Sequence, residues 1–520
     1  SNVTVRNCFM IDNSTTNARG IAVNFTSVDD SLIINNTIDT NGTTDNYGIQ
    51  LLGSSRNQVV NNTIRPFGSG VNNWGINVVS GARDNNISGN TIGTRGTTDN
   101  YGIRISTNSD RNVVSAANNI TTTGTGADNF GIYLATRSFG INVTNNIINT
   151  SGTATNYGIN LDTSVNSSLI LNNTVRSGGS TNTNVGLRAT TRSFFNNFTH
   201  NRAFGTGTGD NYGVQLTTNA DISVIEYNNL TTNGTTTNAG IVQTTSTGNN
   251  ITNNVIFTNG SSTNSGIIVQ TDSNKTVIDR NNITTTGSGI GNRGIYLFTR
   301  VGGVNITNNL INTSGTSSEH GIDLDTDVNN ILVLNNTINY GGSSSTNSGI
   351  RATTRLFFNN FTHNRITGKG GTSANYGIEL ATNANASTIE YNNISTNGTT
   401  TTNYGITITS STGNNITNNV IFTNGSSSNE GIRLATNSNN TIINSNNITT
   451  TGTAGSNFGI TLTSTVVANN VTNNIINTSG TATNYGISLT TESDNNTVDR
   501  NTITPGGSGA ANHGIYLLIN

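Results

Sequence analysis

Apolar and polar residues alternate over short stretches of this chain, and the stretches repeat. Within residues 47–51, Ile49 and Leu51 lie two positions apart, as on one face of a β-strand. Val59 and Ile64 supply further inward positions in the next two short segments. Asn, Thr, Ser and Gly, which form helices poorly, fill most of the remaining positions. The pattern therefore predicts three short strands per repeat and no helix.

A glycine followed by an apolar residue recurs every 26 to 29 residues from Gly20 to Gly514, which defines nineteen units of about 27 residues. Units of this size without helices are typical of a β-helix solenoid, in which each turn buries its apolar face against its neighbours. We predict an all-β fold: a single-stranded, parallel, right-handed β-helix of about 19 turns, each with three short strands. We expect it to run as one continuous domain over residues 1–520.

A longer period lies above the single turn. Residues 188–202 return as residues 351–365 with one difference, at an offset of 163 residues or six units. This match indicates duplication of a six-turn block. We place the copies near residues 131–293, 294–458 and, in part, 459–520.

One asparagine per unit stands two residues before an apolar residue, including Asn7, Asn196 and Asn359. Asparagine tolerates the left-handed backbone of a tight turn, and its amide can bond the same residue one turn away. Stacked amides would form a ladder along the solenoid axis. We predict this structural ladder at Asn36, Asn62, Asn90, Asn118, Asn146, Asn173, Asn281, Asn336, Asn392, Asn446 and Asn501.

The composition narrows the possible partners. Of 520 residues only 9% are charged, the net charge is −2, and no apolar stretch has the length of a membrane span. There is thus no electrostatic signal for nucleic acid or an anionic membrane. Cys8 is the single cysteine, so there is no disulfide framework and no cysteine metal site. We expect no nucleic-acid partner, no membrane span and no cofactor.

Two sets of residues raise the question of chemistry. Asp323, Asp325 and Asp327 alternate onto one outward strand face and could hold a hard cation, but the related unit does not repeat them, which favours a solvated face. His200 and His363 occupy equivalent positions in the six-turn repeat. They could mark a duplicated binding or catalytic site, but duplication alone also explains the match, which favours inert histidines. We therefore predict no metal site and no catalytic residue.

Residues 57–64, followed by residues 73–78, resemble the parallel β-helix repeats of the pectate-lyase-like superfamily. In style they are closest to the Asn-rich repeats of NosD-like proteins and archaeal surface proteins. The resemblance covers essentially the whole chain and implies a β-helix fold. It does not imply one function, because this fold hosts lyases, hydrolases, tailspikes, adhesins and structural rods. A polysaccharide-cleaving member would need clustered carboxylates, so the isolated Asp29-Asp30 pair favours a protein that is not an enzyme.

The residue before the repeat glycine is often aromatic, as at Tyr47, Trp74 and Tyr101, but Arg293 and Glu430 also stand there. A core position would not accept charged residues, so we expect a partly exposed turn. Such a row could stack on sugars or on a neighbouring rod, or it could simply cover the turn.

Asn-x-Ser/Thr triplets are frequent, but a ladder asparagine is followed at +2 by an apolar residue and cannot be a glycan acceptor. Triplets of the form Asn-Gly-Ser/Thr lie in predicted loops. We predict N-glycans, in a source that N-glycosylates secreted proteins, at Asn41, Asn233, Asn259, Asn397 and Asn424.

The two ends of the sequence match in phase. Placing one copy after another separates Gly514 from the next Gly20 by 26 residues, within the internal range, and neither end shows a capping segment. We expect open ends that stack head-to-tail into a homopolymer. The competing explanation is that the chain is an excerpt of a longer solenoid.

Together these patterns favour a secreted, glycosylated structural subunit of an extracellular filament, sheath or surface appendage. Its expected partners are further copies of itself, covalent N-glycans and carbohydrate surfaces. The alternatives are a carbohydrate-binding adhesin or tailspike-like protein and, less favoured, a polysaccharide lyase or glycoside hydrolase.

Overall fold

The computed structural model describes residues 1–13, 20–69, 71–126, 128–180, 183–398 and 402–518. The chain forms two compact units, Ser1–Gly260 and Ser261–Asn520. The described residues of both units consist of strands and turns and contain no helix. The all-β class predicted from the repeat is confirmed.

Each turn of about 27 residues contains three strands, which we call its first, second and third strand. Within each unit, every strand pairs in parallel with the strand of the same kind in the next turn, so that three parallel sheets run through the unit. The register is maintained side chain by side chain: Ile87 is opposite Val114, Ile92 opposite Ile120, and Ile103 opposite Ile132. This is the parallel β-solenoid that the sequence predicted, whereas the predicted continuity over residues 1–520 stays a prediction.

In Ser1–Gly260 the three kinds of strand follow one another in order. The first strands are Thr4–Arg6, Leu32–Ile34, Gln58–Val60, Asn86–Ser88, Val113–Ser115, Asn142–Thr144, Leu169–Leu171, Asn197–Thr199, Val224–Glu226 and Asn250–Thr252. The second strands are Phe9–Asp12, Thr37–Thr40, Thr63–Gly68, Thr91–Gly96, Asn119–Gly124, Ile147–Gly152, Thr174–Gly179, Arg202–Gly207, Asn229–Gly234 and Val255–Gly260. The third strands are Gly20–Thr26, Asp45–Leu52, Asn72–Val79, Asp99–Ile105, Asp128–Leu134, Thr155–Leu161, Asn184–Ala189, Asn211–Thr217 and Asn238–Thr244.

Ser261–Asn520 repeats this arrangement and adds four two-residue strands. The first strands are Val277–Asp279, Asn305–Thr307, Leu332–Leu334, Asn360–Thr362, Thr388–Glu390, Asn415–Thr417, Ile442–Asn444, Asn470–Thr472 and Thr497–Asp499. The second strands are Asn282–Gly287, Leu310–Gly315, Thr337–Gly342, Arg365–Gly370, Asn393–Gly398, Val420–Gly425, Asn447–Gly452, Ile475–Gly480 and Thr502–Gly507. The third strands are Asn264–Gln270, Asn292–Phe298, Glu319–Leu324, Asn347–Ala352, Asn375–Leu380, Asn403–Thr409, Asn429–Ala435, Asn457–Thr463, Asn484–Thr490 and Asn512–Leu518. The two-residue strands are Val301–Gly302, Val328–Asn329, Leu356–Phe357 and Ala384–Asn385.

The core of each unit is a set of apolar columns, one residue per strand per turn. Val59, Ile64 and Ile49, which the alternation placed inward, are all fully buried. The residues above them in the next turn, such as Ile87 and Ile92, are equally inaccessible to solvent. A single turn is too thin to enclose these side chains, so the neighbouring turns complete the burial.

The repeat glycine marks a close approach between turns. A Cβ atom built on Gly102 would lie 2.2 Å from Cγ2 of Ile120 and 2.5 Å from the carbonyl oxygen of Gly131. Neither distance leaves room for a methyl group. The strictness of the glycine period therefore comes from close packing of the third strand against the next turn.

Candidate functional site: amide ladders and a charged cluster

A buried amide ladder joins successive turns at the end of each first strand. Oδ1 of Asn118 accepts hydrogen bonds from the backbone N and from Nδ2 of Asn90, at 2.9 and 3.0 Å. Its Nδ2 donates to Oδ1 of Asn146 at 2.8 Å and to the carbonyls of Ile87 and Ser115 at 3.0 and 2.9 Å. One side chain thus bonds to the turns on both sides and leaves no amide donor unsatisfied.

The same bonds recur along each unit, and all eleven residues named from the sequence take part. In Ser1–Gly260 the ladder is Asn36, Asn62, Asn90, Asn118, Asn146, Asn173, Asn201, Asn228 and Asn254. In Ser261–Asn520 it is Asn281, Asn309, Asn336, Asn364, Asn392, Asn419, Asn446, Asn474 and Asn501.

Assigning Asn196 and Asn359 to this ladder was wrong, because Asn201 and Asn364 hold those positions. Asn196 lies in another column, at the start of the first strands, where its Oδ1 accepts from the backbone N of Ser168 at 3.0 Å. Asn359 is likewise in that column. In these turns both columns satisfy the same rule, an Asn two residues before an apolar residue, so the pattern could not separate them.

The left-handed backbone expected of the ladder residues belongs to their neighbours instead. Asn35 and Asn61, which precede ladder residues, have φ of 56° and 53°. Asn7 has the same conformation, with φ of 53°, and is also outside the ladder. In that turn Cys8 occupies the position that asparagine has in the ladder. Its backbone N donates to Oδ1 of Asn36 at 3.0 Å.

A further amide ladder, which the sequence analysis missed, runs along the third strands. Nδ2 of Asn46 donates to Oδ1 of Asn73 at 2.9 Å, and Nδ2 of Asn429 donates to Oδ1 of Asn457 at 3.0 Å. These residues stand two before the repeat glycine. From the unit of Gly48 onward every residue at this position is Asn except one, which is the signal that would have revealed the ladder.

Glu319 is that exception, and it is fully buried. Its Oε1 accepts from Nδ2 of Asn292 at 3.1 Å, and its backbone N donates to Oδ1 of Asn347 at 3.1 Å. Its Oε2 is buried without a hydrogen-bond partner among the described residues. Burial raises the pKa of the Glu319 carboxyl to about 8, so the neutral acid predominates at pH 7.

Beside this position lies a charged cluster, which we define as Arg293, His320, Asp323, Arg351 and Glu379. Nε of Arg293 lies 2.7 Å from Oδ2 of Asp323, whose side chain is 2% exposed. Nη1 of Arg351 lies 3.8 Å from the same oxygen. The residues come from four successive third strands, and the register places Asp323 opposite Arg351 and Arg351 opposite Glu379.

His320 and Glu379 complete the cluster. His320 is 3% exposed, and its Nε2 lies 3.3 Å from Nη1 of Arg351. Burial lowers the pKa of the imidazole to about 4, so it is neutral at pH 7 and can accept from the guanidinium. Oε2 of Glu379 accepts from the hydroxyl of Ser348 at 2.9 Å, and burial raises the pKa of this carboxyl.

The three aspartates singled out from the sequence do not converge. Asp323 bonds to Arg293, Asp325 accepts from the hydroxyl of Tyr296 at 3.2 Å, and Asp327 pairs with Arg355 at 2.9 Å. Interpreting them as one solvated face is wrong for Asp323, which is buried. In the described ranges no three His, Cys, Asp or Glu side chains are grouped as a metal site would require.

The aromatic residues before the repeat glycine stack on one another. Tyr47 and Trp74 have ring centroids 4.6 Å apart, Tyr101 and Phe130 are 5.0 Å apart, and both pairs are nearly parallel. Trp74 also stacks on Tyr101, and Phe130 on Tyr157. The faces of the three middle rings are therefore covered by protein. Tyr101 and Phe130 are moreover buried and lie within third strands, so the expectation of a partly exposed turn is wrong for them.

His200 and His363 lie in matching exposed corners. Nδ1 of His200 is 2.8 Å from the hydroxyl of Thr199, and its ring stacks on Tyr227. His363 has the same arrangement with Thr362 and Tyr391. The duplication thus extends to side-chain contacts.

The predicted glycan acceptors lie on the outside of the turns. Asn41, Asn233 and Asn397 are exposed, and Asn259 and Asn424 are half-buried. Asn233 is opposite Asn259 in neighbouring second strands, and Asn397 is opposite Asn424. Four of the five therefore belong to strands, although loops had been predicted.

No helix in the described part of the chain is long and apolar enough to cross a membrane. No protein-family model matches the sequence, and no curated protein matches it either. Among solved structures, a double mutant of the periplasmic alginate epimerase AlgG is 14% identical, with 61% of this chain and 78% of that chain covered and a TM-score of 0.42. The AlgG structure without substitutions is 12% identical, with 58% and 76% covered and a TM-score of 0.26. At these values the likeness carries no statement about activity, and the β-solenoid assignment stands on the strand pairing described above.

Proposed function

We propose that this chain is a structural protein of the cell exterior, a subunit of a filament, sheath or surface appendage, with no catalytic role. The observation that carries the proposal is the amide ladder at the ends of the first strands, in which Asn118 and its counterparts bond to the turns on both sides. Long runs of identical buried amides hold neighbouring turns together through hydrogen bonds.

The ladder makes each unit resistant to local opening. Releasing the turn of Asn118 breaks four hydrogen bonds between that side chain and the neighbouring turns, in addition to three parallel strand pairings on each side. In a solenoid each turn interacts with its immediate neighbours, so resistance to extension and proteolysis depends on these interfaces. A protein under mechanical load benefits from placing its strongest bonds along the axis.

The same regularity supports self-association. Because every turn presents the same backbone and amide partners to the next, an uncovered turn of one copy is a template for another copy. The proposed partners are thus further copies of the chain, with N-glycans and carbohydrate surfaces along the sides. Nucleic acid and membrane lipid are not among them, since a net charge of −2 provides no attraction.

Analytical ultracentrifugation over a concentration series tests this proposal. Leu517, in strand Asn512–Leu518, is 60% exposed, whereas its register partner Leu489 is 5% exposed. We expect the wild-type chain to sediment as growing oligomers and Leu517→Arg to stay monomeric. Ile290→Arg, which alters an exposed apolar residue outside the strands, is the matched control and should assemble normally. A wild-type chain that is monomeric at all concentrations would contradict the proposal.

A carbohydrate-binding adhesin or tailspike-like protein is the second candidate, and the charged cluster favours it. Arg293 and Arg351 keep 20% and 34% of their side chains exposed in a chain that is otherwise poor in charge. Guanidinium groups and carboxylates of this kind donate to and accept from sugar hydroxyls. A glycan array with the wild type, Arg293→Gln and Arg351→Gln tests this candidate, which predicts binding to particular glycans that both substitutions abolish.

A further inference from the structure

Each unit contains a version of the same polar site on its third strands. In Ser1–Gly260 the centre is Arg188, which the register places between Asn160 and Gln215. Its Nε donates to Oε1 of Gln215 at 3.1 Å, and its Nη1 donates to Oδ1 of Asn160 at 3.3 Å. The guanidinium also lies over the ring of Tyr157, 4.9 Å from the centroid.

In Ser261–Asn520 the corresponding centre is Arg351, 163 residues later. The register places it between Asp323 and Glu379, so that carboxylates stand where the other unit has the amides of Asn160 and Gln215. Nη1 of Arg351 lies 3.8 Å from Oδ2 of Asp323, and its Nε lies 3.9 Å from Oε2 of Glu379.

A second shared contact shows that the two sites are equivalent. The hydroxyl of Tyr133 donates to Oδ2 of Asp162 at 2.9 Å in the first unit. The hydroxyl of Tyr296 donates to Oδ2 of Asp325 at 3.2 Å in the second. Both units thus keep the arginine and the Tyr–Asp pair, and they differ in whether the arginine's neighbours are amides or carboxylates.

The difference changes how the arginine charge is balanced. Arg351 has two carboxylates within 4 Å, whereas among the described residues Arg188 has none. Asp128 is near enough to interact electrostatically with Arg188 but does not pair with it, and Asp162 is held by Tyr133 and Thr163. A half-buried guanidinium that bonds only to neutral amides retains a strong preference for an anion.

We infer that Arg188 is the centre of a binding site for a carboxylate-bearing ligand. In the other unit the carboxylates of Asp323 and Glu379 occupy the equivalent place, so that site is satisfied by the chain itself. A ligand carboxylate approaching Arg188 takes up guanidinium N–H groups that now bond to Asn160 and Gln215. These amides can rotate and donate their own N–H groups to the ligand, which Asp323 and Glu379, when ionised, cannot do.

Isothermal titration calorimetry with glucuronate, and with glucose as the same ring without the carboxylate, tests this inference. We expect one glucuronate site per wild-type chain and no glucose binding, with acetate competing for the site. Arg188→Gln should abolish binding. The double variant Asn160→Asp/Gln215→Glu should also abolish it while keeping the thermal unfolding midpoint, because it reproduces the ion pairs around Arg351.

Two variants in the other unit are the controls. Arg351→Gln should leave glucuronate binding unchanged, because its site is already occupied. Asp323→Asn/Glu379→Gln should raise the number of glucuronate molecules bound per chain from one to two. The titration is carried out at a temperature below the thermal unfolding midpoint of that variant. If the variant does not fold, Asn160→Asp/Gln215→Glu decides alone. Absence of glucuronate binding to the wild type, equal binding of glucose, or binding that survives in Asn160→Asp/Gln215→Glu would overturn the inference, whether or not the chain forms fibres.

Discussion

Glu319 accepts a hydrogen bond from Nδ2 of Asn292 at 3.1 Å, at a position that is asparagine in every other unit from that of Gly48 onward. An asparagine side chain both donates and accepts, whereas an ionised carboxylate only accepts. The buried Oε2 of Glu319 has no hydrogen-bond partner among the described residues, and burial disfavours the ionised carboxylate more than the hydrogen bond from Asn292 stabilises it. The ladder is therefore sensitive to pH at this single turn.

We expect the stability of the wild type relative to Glu319→Gln to fall as pH rises from about 4.5 to 8. This comparison cancels the contributions of other buried groups whose pKa values are shifted, such as His320 and Glu379. The carboxyl ionises near 4.5 in the unfolded chain and near 8 in the folded protein. Between these pH values the folded state binds more protons than the unfolded state, so this carboxyl makes the unfolding free energy decrease as pH rises. Its stabilising contribution is fully present below pH 4.5 and is lost above pH 8. Thermal unfolding at pH 5, 7 and 9 measures it, with exposed Glu492→Gln as a control that should follow the wild type. A difference in midpoint between the wild type and Glu319→Gln that stays constant over this range would contradict the assignment.

Asn118→Ala should lower the unfolding free energy of its turn by about 3 kcal/mol, because it removes a buried amide that the backbone N and Nδ2 of Asn90 and Oδ1 of Asn146 all bond to. Asn119→Ala, at the next residue, alters an exposed side chain and should change stability by less than about 0.5 kcal/mol. Amide hydrogen exchange around residues 113–124 would show the difference locally. If the two variants show equal protection from amide hydrogen exchange, the claim that the ladder stabilises this turn is wrong.

Gly102→Ala should destabilise the fold by about 1 to 3 kcal/mol, since the new methyl group would meet Ile120 and the carbonyl of Gly131. Gly93→Ala, on a second strand, adds its methyl group where no atom lies within 4 Å and should be neutral or stabilising by up to about 1 kcal/mol. Chemical denaturation of both variants tests the explanation of the glycine period, which fails if Gly102→Ala is as stable as Gly93→Ala.

Asp323→Asn should cost about 3 to 5 kcal/mol, because Arg293 and Arg351 would lose their buried counter-charge. Asp84→Asn breaks an exposed pair with Arg111 at 2.8 Å and should cost less than about 1 kcal/mol. Added salt should weaken the effect of Asp84→Asn and leave that of Asp323→Asn nearly unchanged. A strong salt dependence for Asp323→Asn would mean that the cluster is open to solvent.

Glycans are expected at Asn233 and Asn397 when the chain is secreted from a host that N-glycosylates proteins. Both side chains are exposed, and both stand in Asn-Gly-Thr triplets. Peptide mass spectrometry measures the occupancy, and Asn118, which is buried in the ladder, should be unmodified in the same sample. If Asn233 and Asn397 are unmodified, the proposal that the chain carries N-glycans is wrong.

The fold was predictable because its determinants are local and periodic. The spacing of Gly48 and Gly75, and the alternation of Ile49 and Leu51, each report a strand that packs on an identical strand one turn away. The prediction of Asn196 as a ladder residue failed because two columns five residues apart obey one rule, so that only the strand register distinguishes Asn196 from Asn201.

The charged cluster was not predictable in the same way. Arg293, Asp323 and Arg351 are 28 to 58 residues apart, and the turns between them vary in length, so their meeting depends on the exact register. From the sequence Asp323 grouped with Asp325 and Asp327, its nearest acidic neighbours. In the structure the contacts run between turns, and these three carboxylates have different partners.

Electron microscopy of the native material tests the central claim most directly. If the chain is a structural subunit whose turns serve as templates for further copies, the material should consist of continuous unbranched fibres with the strands perpendicular to the fibre axis. Discrete monomers or closed rings would contradict the claim.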